Sequence, residues 1–484
     1  MVFNSLDFIL FFTVFFILYW FVFNKKLKLQ NLLILTGSYF FYAWWDWRFL
    51  SLLIASSIIN FLIGIKIKNA KTDKNKNILL WTGLFFGLIG LFYFKYFNFF
   101  IESFIDLFAL FNIHLNIHTV KLILPLGISF YTFRTISYIL DVYYEDIEPT
   151  KDIVIFFSYV AFFPTLLSGP IDKARDFIHQ LEHKRKFNYD QAADGLWQIL
   201  TGLFKKIVIA DNLASVTNVV FDNYQNYSGS VLFIGMFFYA IQLYADFSGY
   251  TDMAIGVGKL LGFNVTKNFN FPFFAQNIAD FWRRWHISLT TWLTEYVYTP
   301  LSFTLRRYHK WGVILAIIIT FIFIGLWHGA NWKFVFYGFL HGLFFIPLIL
   351  RGTMNKDKNP AKNRILPTFR EFTNIMGTFI LVMFSFILIR IDSIHSAINY
   401  YNSLLSKSLF TIPKLTGIEN TNMLIGLLLI IVFMLIEWVN RNNNYSFEKA
   451  KNLNLFYQSC IILGLTTLMF FLGGTQQDFI YFQF

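Results

Sequence analysis

Apolar runs long enough to cross a bilayer recur along almost the whole chain, and this constrains its fold more than any other feature. An α-helix rises about 1.5 Å per residue, so roughly 20 apolar residues span the ~30 Å hydrocarbon layer. A backbone in lipid must satisfy its own N–H and C=O groups, and a helix does this within each run. Hydrophobic residues make up 56% of the 484 and charged residues only 14%, too little charge to cover several water-facing domains. The expected fold class is all-α: a polytopic helical membrane protein with about 11–14 membrane helices, including short or re-entrant segments, around a central tunnel. One integral-membrane domain is expected over 1–484, with peripheral N-terminal helices at 1–120, a motif-bearing core at 121–350 and C-terminal helices at 351–484.

The 64 Phe, 25 Tyr and 13 Trp supply rings for packing against acyl chains and for headgroup belts. Lys plus Arg (40) exceed Asp plus Glu (28), a formal charge of +12. These basic residues sit in short segments between apolar runs, so positive-inside topology explains them better than nucleic acid binding does. Cys460 is the only cysteine and lies in an apolar run, which removes intrachain disulfides, thiolate catalysis and cysteine metal cages. Phe8–Phe23 has no basic residue before it and no small-residue cleavage site after it, so it reads as a retained first span.

The Lys25-Lys26-Leu27-Lys28 cluster and the Lys66–Lys76 segment are expected to be cytoplasmic, with two spans between them turning around Trp44-Trp45-Asp46-Trp47. The N-terminus then lies outside. Further spans are expected near 78–94, 121–140, 153–168, 195–210, 230–245, 312–328, 333–350, 372–390, 423–439 and 455–472, with 98–112 and 250–300 less regular. The 250–300 segment carries Gly, Pro and ionisable residues, a composition tolerated at membrane depth only beside protein or a water-filled cavity. Basic segments at 173–186, 306–310, 351–370 and 441–451 read as cytoplasmic loops. On that basis helix 312–328 runs outward, the turn near 329–332 faces the exterior and the C-terminus is extracytoplasmic. The chain shows no internal repeat or detachable soluble domain.

Two stretches carry candidate chemistry. In Asp280-Phe281-Trp282-Arg283-Arg284-Trp285-His286-Ile287-Ser288-Leu289-Thr290-Thr291-Trp292-Leu293, a continuous helix would put Trp282, His286, Leu289 and Leu293 on one face, flanked by Arg283 and Thr290. An imidazole on an apolar stripe is a candidate functional group; the bland alternative is an interfacial helix with Trp anchors and snorkelling Arg. In Gly325-Leu326-Trp327-His328-Gly329-Ala330-Asn331-Trp332, small residues admit close approach to an imidazole at a helix end, as a general base requires. The bland alternative there is a hairpin turn with a satisfied histidine. His341, thirteen positions on, reads as structural. Ala245–Asp252 places two carboxylates at the end of an apolar run and Phe163–Pro170 reads as a rigid break; either lines a pore, or Asp246 pairs with an Arg and the Pro and Gly residues end helices.

Phe281–Ser288, Leu326–Ala330 and the closing Phe479-Ile480-Tyr481-Phe482-Gln483-Phe484 together resemble the membrane-bound O-acyltransferase family. The branch they resemble is that of bacterial alginate and peptidoglycan O-acetyltransferases, which Phe163–Pro170 and Asp246–Asp252 also resemble. The likeness runs from about Pro125 to the C-terminus. It implies that His328 is the catalytic histidine of the membrane interior and His286 the second motif position, on the cytoplasmic side of a tunnel. Thr290 and Thr294 stand where relatives often have Ser and Arg. The resemblance further implies a partner, an extracytoplasmic transferase that modifies the final polysaccharide.

The expected function is movement of an acetyl group from cytoplasmic acetyl-coenzyme A across the bacterial inner membrane, for O-acetylation of an extracytoplasmic polysaccharide such as peptidoglycan or an alginate-like polymer. The charged coenzyme stays in water while its slender acyl-pantetheine arm reaches inward. His328 acts as general base and His286 bonds the thioester or shapes the tunnel. Arg283, Trp285, Ser288, Trp327, Asn331, Asp246 and Tyr250 are candidate tunnel residues; Arg284, Arg306, Arg307 and Lys310, with Arg283, are candidate phosphate ligands. No permanently bound cofactor and no metal site are expected. The competing enzyme reading is teichoic-acid D-alanyl transfer from an acyl-carrier protein; the competing non-enzyme reading is a transporter or flippase.

Overall fold

The computed structural model describes residues 1–354, 360–361, 364–414 and 420–483, with the side chains of Asn420, Phe482 and Gln483 outside the description. Parts of the expected 351–370 loop, and Phe484 of the closing motif, lie outside the described residues. Every regular element among the described residues is helical. Eight helical stretches are long and apolar enough to cross a membrane: Leu27–Lys68, Asp73–Ala109, Gly229–Leu260, Arg306–His328, Trp332–Leu350, Phe369–Arg390, Thr421–Val439 and Leu455–Leu472. Leu6–Val22 is a shorter apolar helix. The all-α polytopic expectation therefore holds.

The chain divides into two compact units, Met1–Gly195 with Ala254–Thr266, and Leu196–Met253 with Lys267–Phe484. In the first, the Leu50–Lys68, Asp73–Leu91 and Ile128–Tyr143 helices pack together, and Leu27–Asp46 packs on Ile153–Ala161. The expected span at 153–168 breaks at Phe162. Buried Arg134 compensates for the break: its Nη1 donates to the carbonyls of Tyr159 and Val160 at 3.1 and 3.4 Å, and its Nη2 to Pro170 O at 3.4 Å and to the Thr165 hydroxyl. Freed carbonyls in a buried break require such donors. Within the expected loop 173–186, Ala174–Glu182 is an amphipathic helix burying Phe177, Ile178 and Leu181.

In the second unit, close backbone contact positions the charged residues. A Cβ on Gly202 would lie 2.5 Å from Gly249 O, and one on Gly249 2.8 Å from Gly202 O, so only glycine permits this crossing. It sets the π-helical turn Phe204–Ala210 against the Gly229–Leu260 helix, where Lys205 Nζ meets Asp252 at 3.0 Å and Glu437 at 3.4 Å. Lys206 Nζ meets Asp211 and Asp246, each at 2.9 Å. This corrects two expectations: the helix expected over 230–245 runs on to Leu260, so that Asp246 and Asp252 lie inside a 32-residue helix, and Asp246 pairs with a lysine, not an arginine. The lysines neutralise both carboxylates, so the helix continues past them.

The His309–His328 and Trp332–Phe344 helices form a hairpin with backbone contact at Gly325 and Gly338, whose Cβ atoms would lie 2.0 Å from Phe334 O and 2.1 Å from Phe321 O. The turn falls at 329–331, as expected. Asn331 caps the second helix by accepting the Lys333 N–H at 2.9 Å.

Candidate functional site

His328 is the last residue of its helix, and Gly329 follows with extended backbone. Trp327 and His328 therefore stand where the helix ends, both buried.

His286 is held differently from the expected continuous stripe. The structure has two short helices, Ile278–Trp282 and Ile287–Leu293, and His286 sits at the break with φ of 47°. A left-handed non-glycine residue costs about 1–3 kcal/mol and needs support from its surroundings. Asn268 gives it: its backbone carbonyl accepts the Ile287 N–H at 2.9 Å, and its Oδ1 accepts the Ser288 N–H at 3.2 Å and the Ser288 hydroxyl at 2.9 Å. The same Oδ1 is 3.1 Å from His286 Nδ1. Trp282, Trp285 and Trp292 are all buried, so this segment is not a row of interfacial anchors.

The two histidines, 42 positions apart in sequence, meet around shared rings. Trp327 lies 5.4 Å from His286 and 5.2 Å from His328, centroid to centroid. Tyr481 lies 6.1 Å from His286 and 5.7 Å from His328. Phe247 packs 4.8 Å from His286 and 4.0 Å from Tyr481, and Tyr337 lies 6.1 Å from His328. Tyr250 stacks on Phe479 at 4.6 Å, and Asp246 accepts the Ile480 N–H at 2.8 Å.

Next to this cluster is a cavity of about 350 Å³ lined by Trp282, Arg283, Thr290, Thr294, Thr320 and Phe321 among others. It reaches Ile287, adjacent to His286, and Ile324, one helical turn before His328. Neither histidine lines it.

The remaining candidates fall elsewhere. Trp285 stacks on Phe281 at 5.5 Å and packs against Phe386 at 5.2 Å, away from both histidines' rings. Arg284 is buried and its Nε donates to Asp280 at 2.9 Å, whereas Arg283, Arg306, Arg307 and Lys310 are exposed. Asn331 is an exposed helix cap. His341 accepts the Trp282 indole N–H at Nδ1 (3.1 Å), which leaves Nε2 to donate to Ser385 Oγ (2.9 Å), a satisfied core histidine.

The sequence profile of the membrane-bound O-acyltransferase family matches residues 144–389, just over half the chain and both histidines. A probable alginate O-acetylase of Azotobacter vinelandii is 37% identical over 83% of this chain and 78% of its own length. The chain belongs to the membrane-bound O-acyltransferase family. It is thus an acyltransferase, and a multi-pass membrane protein. Within the family it is also similar to a peptidoglycan O-acetyltransferase of Helicobacter pylori, 29% identical over 95% of this chain and 92% of that one. A teichoic acid D-alanyltransferase of Bacillus subtilis is 31% identical over 55% of this chain and 68% of its own length.

Sequence reasoning about this acyltransferase missed Asn268, Lys205 and Lys206, and quoted Tyr481 only as part of a motif. Each acts through a partner 18 to more than 150 positions away, so no local spacing marks it. Two adjacent lysines inside an apolar run were a usable signal, because unpaired charge there is costly.

Proposed function

We propose that the chain moves an acetyl group from cytoplasmic acetyl-coenzyme A towards an extracytoplasmic polysaccharide, with His328 as general base. The observation that carries this reading is the convergence of His286 and His328 on one ring cluster beside a cavity. The alginate- and peptidoglycan-acetylating relatives motivate the choice of acetyl group and polymer; the two cited cover 83% and 95% of the chain, against 55% for the D-alanyltransferase.

In this mechanism the pantetheine arm enters the cavity lined by Thr290, Thr294 and Thr320, with exposed Arg283 near the donor's charged end. His328 takes the proton of the acceptor hydroxyl as its oxygen attacks the thioester carbonyl. The C–O bond forms, the C–S bond breaks, and the imidazolium returns the proton to the leaving thiolate. The immediate acceptor is a polysaccharide hydroxyl or a hydroxyl on an extracytoplasmic transferase of the same pathway. In this reading the chain sits in a bacterial cytoplasmic membrane, and cytoplasmic basic segments, which the positive-inside rule favours, put both termini outside.

The test uses purified protein in liposomes with acetyl-labelled coenzyme A outside and acceptor polymer, with or without its partner transferase, inside. The reading expects labelled ester on the lumenal acceptor and one free coenzyme A per ester. Transfer from a D-alanyl carrier protein but not from acetyl-coenzyme A would replace it with the D-alanylation reading, and crossing of label without thioester cleavage would make the chain a carrier in this assay.

A further inference from the structure

We propose that Asn268 is a positioning residue that fixes His286 as a hydrogen-bond acceptor, its Nε2 lone pair presented to an N–H or O–H group of a bound substrate. The inference rests on the acyl-transfer reading for the identity of that substrate, but not for the tautomer.

The chemistry follows from one atom. Asn268 Oδ1 faces the backbone N–H of Ser288 at 3.2 Å, and a backbone N–H only donates, so the amide atom there is oxygen and not nitrogen. That oxygen accepts the Ser288 hydroxyl at 2.9 Å and lies 3.1 Å from His286 Nδ1. An amide oxygen cannot donate, so Nδ1 must carry the proton. A neutral imidazole has one N–H, which leaves Nε2 as a lone pair.

Nε2 is buried and has no hydrogen-bond partner among the described residues, and His286 itself is 0% exposed. The rings of Phe247, Trp327 and Tyr481 surround the imidazole at 4.8, 5.4 and 6.1 Å. A buried acceptor held in a strained backbone and left unpaired is a group waiting for a donor. In this tautomer His286 does not donate to the thioester oxygen; it receives a proton-bearing group instead. Two sources offer that chemistry, the amide N–H groups of the donor's pantetheine arm and the hydroxyl of the acceptor.

The experiment reads the tautomer directly. Full-length protein in lipid nanodiscs is labelled with nitrogen-15 in its histidine imidazoles, and the His286 signals are identified by their loss in His286→Gln. Wild type is expected to show a protonated Nδ1 and an unprotonated Nε2. Asn268→Asp, which keeps an acceptor, is expected to retain that pattern and most of the turnover. Asn268→Leu is expected to lose the fixed tautomer and about tenfold in turnover. Acetyl-coenzyme A and a short acceptor glycan are then added separately. Movement of the Nε2 signal with the first assigns the amide of the arm, and with the second the hydroxyl. A proton on Nε2 in wild type, an unchanged tautomer in folded Asn268→Leu, or no Nε2 response to either substrate would overturn the proposal. If Asn268→Leu does not fold, the wild-type and Asn268→Asp spectra still decide. Because the tautomer is read without turnover, the expected pattern in a protein that transfers no acetyl group would leave this inference standing while the proposed function failed.

Discussion

The Tyr481 ring centroid lies 5.7 Å from that of His328, although the two residues are 153 positions apart in sequence. The tail reaches this place because its backbone is clamped: Asp246 accepts the Ile480 N–H at 2.8 Å and Lys206 Nζ donates to Gln477 O at 2.9 Å. The Lys206–Asp246 ion pair thus ties a membrane helix to one wall of the histidine cluster. Loss of the tail's position should therefore reach the chemistry without disturbing either histidine's own helix.

Asp246→Ala tests this clamp by removing the acceptor of the Ile480 N–H, while Lys206 keeps Asp211 at 2.9 Å as a counter-charge. The expected outcome is about a tenfold or greater loss of acyl transfer at unchanged membrane abundance, together with faster proteolytic clipping near Gln477. Unchanged rate and unchanged clipping would mean that the tail does not need Asp246.

The Lys205 site should behave in the opposite way. Its ammonium is the shared partner of Asp252 at 3.0 Å and Glu437 at 3.4 Å, and Glu437 also accepts the Tyr244 hydroxyl at 2.5 Å. Lys205→Met leaves buried carboxylates without their cation, a loss of about 3–5 kcal/mol. Adding Asp252→Asn should recover part of it. Thermal unfolding in detergent, followed by tryptophan fluorescence, measures both; a single mutant as stable as wild type would show that the network is dispensable.

Much of the architecture was legible because hydropathy and turn chemistry are local. The hairpin over 309–344 turns where Gly329-Ala330-Asn331 predicts, and the Trp47–Phe49 turn falls at the Trp-rich boundary. The break at His286 was not legible: the 280–293 stretch has good helical periodicity, and Asn268 ends that helix from 18 positions upstream through hydrogen bonds that leave no period in the sequence. The same holds for the Gly229–Leu260 helix, which continues through Asp246 and Asp252 because Lys205 and Lys206 neutralise them from another helix. Family motifs supplied both histidines. Their supports required the fold.

The cavity beside the cluster offers a test of the donor route. Thr294 lines it yet is exposed, so Thr294→Trp adds bulk there without repacking the buried core. If the pantetheine arm passes this way, KM for acetyl-coenzyme A should rise about tenfold while kcat changes little, the signature of lost binding common to ground and transition states. Wild-type kinetics in Thr294→Trp would place the arm elsewhere.

The two histidines should separate kinetically because their surroundings differ. His328 ends a helix with Gly329 beyond it and is 5% exposed, so its truncation removes the assigned base while the hairpin contacts at Gly325 and Gly338 remain. His328→Ala is expected to lose about 10²- to 10⁴-fold in acyl transfer with membrane abundance preserved. His286 is fully buried at a strained position, and its truncation also empties space between Phe247 and Trp327. His286→Ala should therefore lose less activity per folded molecule but unfold at lower temperature. Single-turnover transfer normalised to folded protein separates the two effects. Full activity in His328→Ala would remove it as the base and shift that role to the Nε2 lone pair of His286.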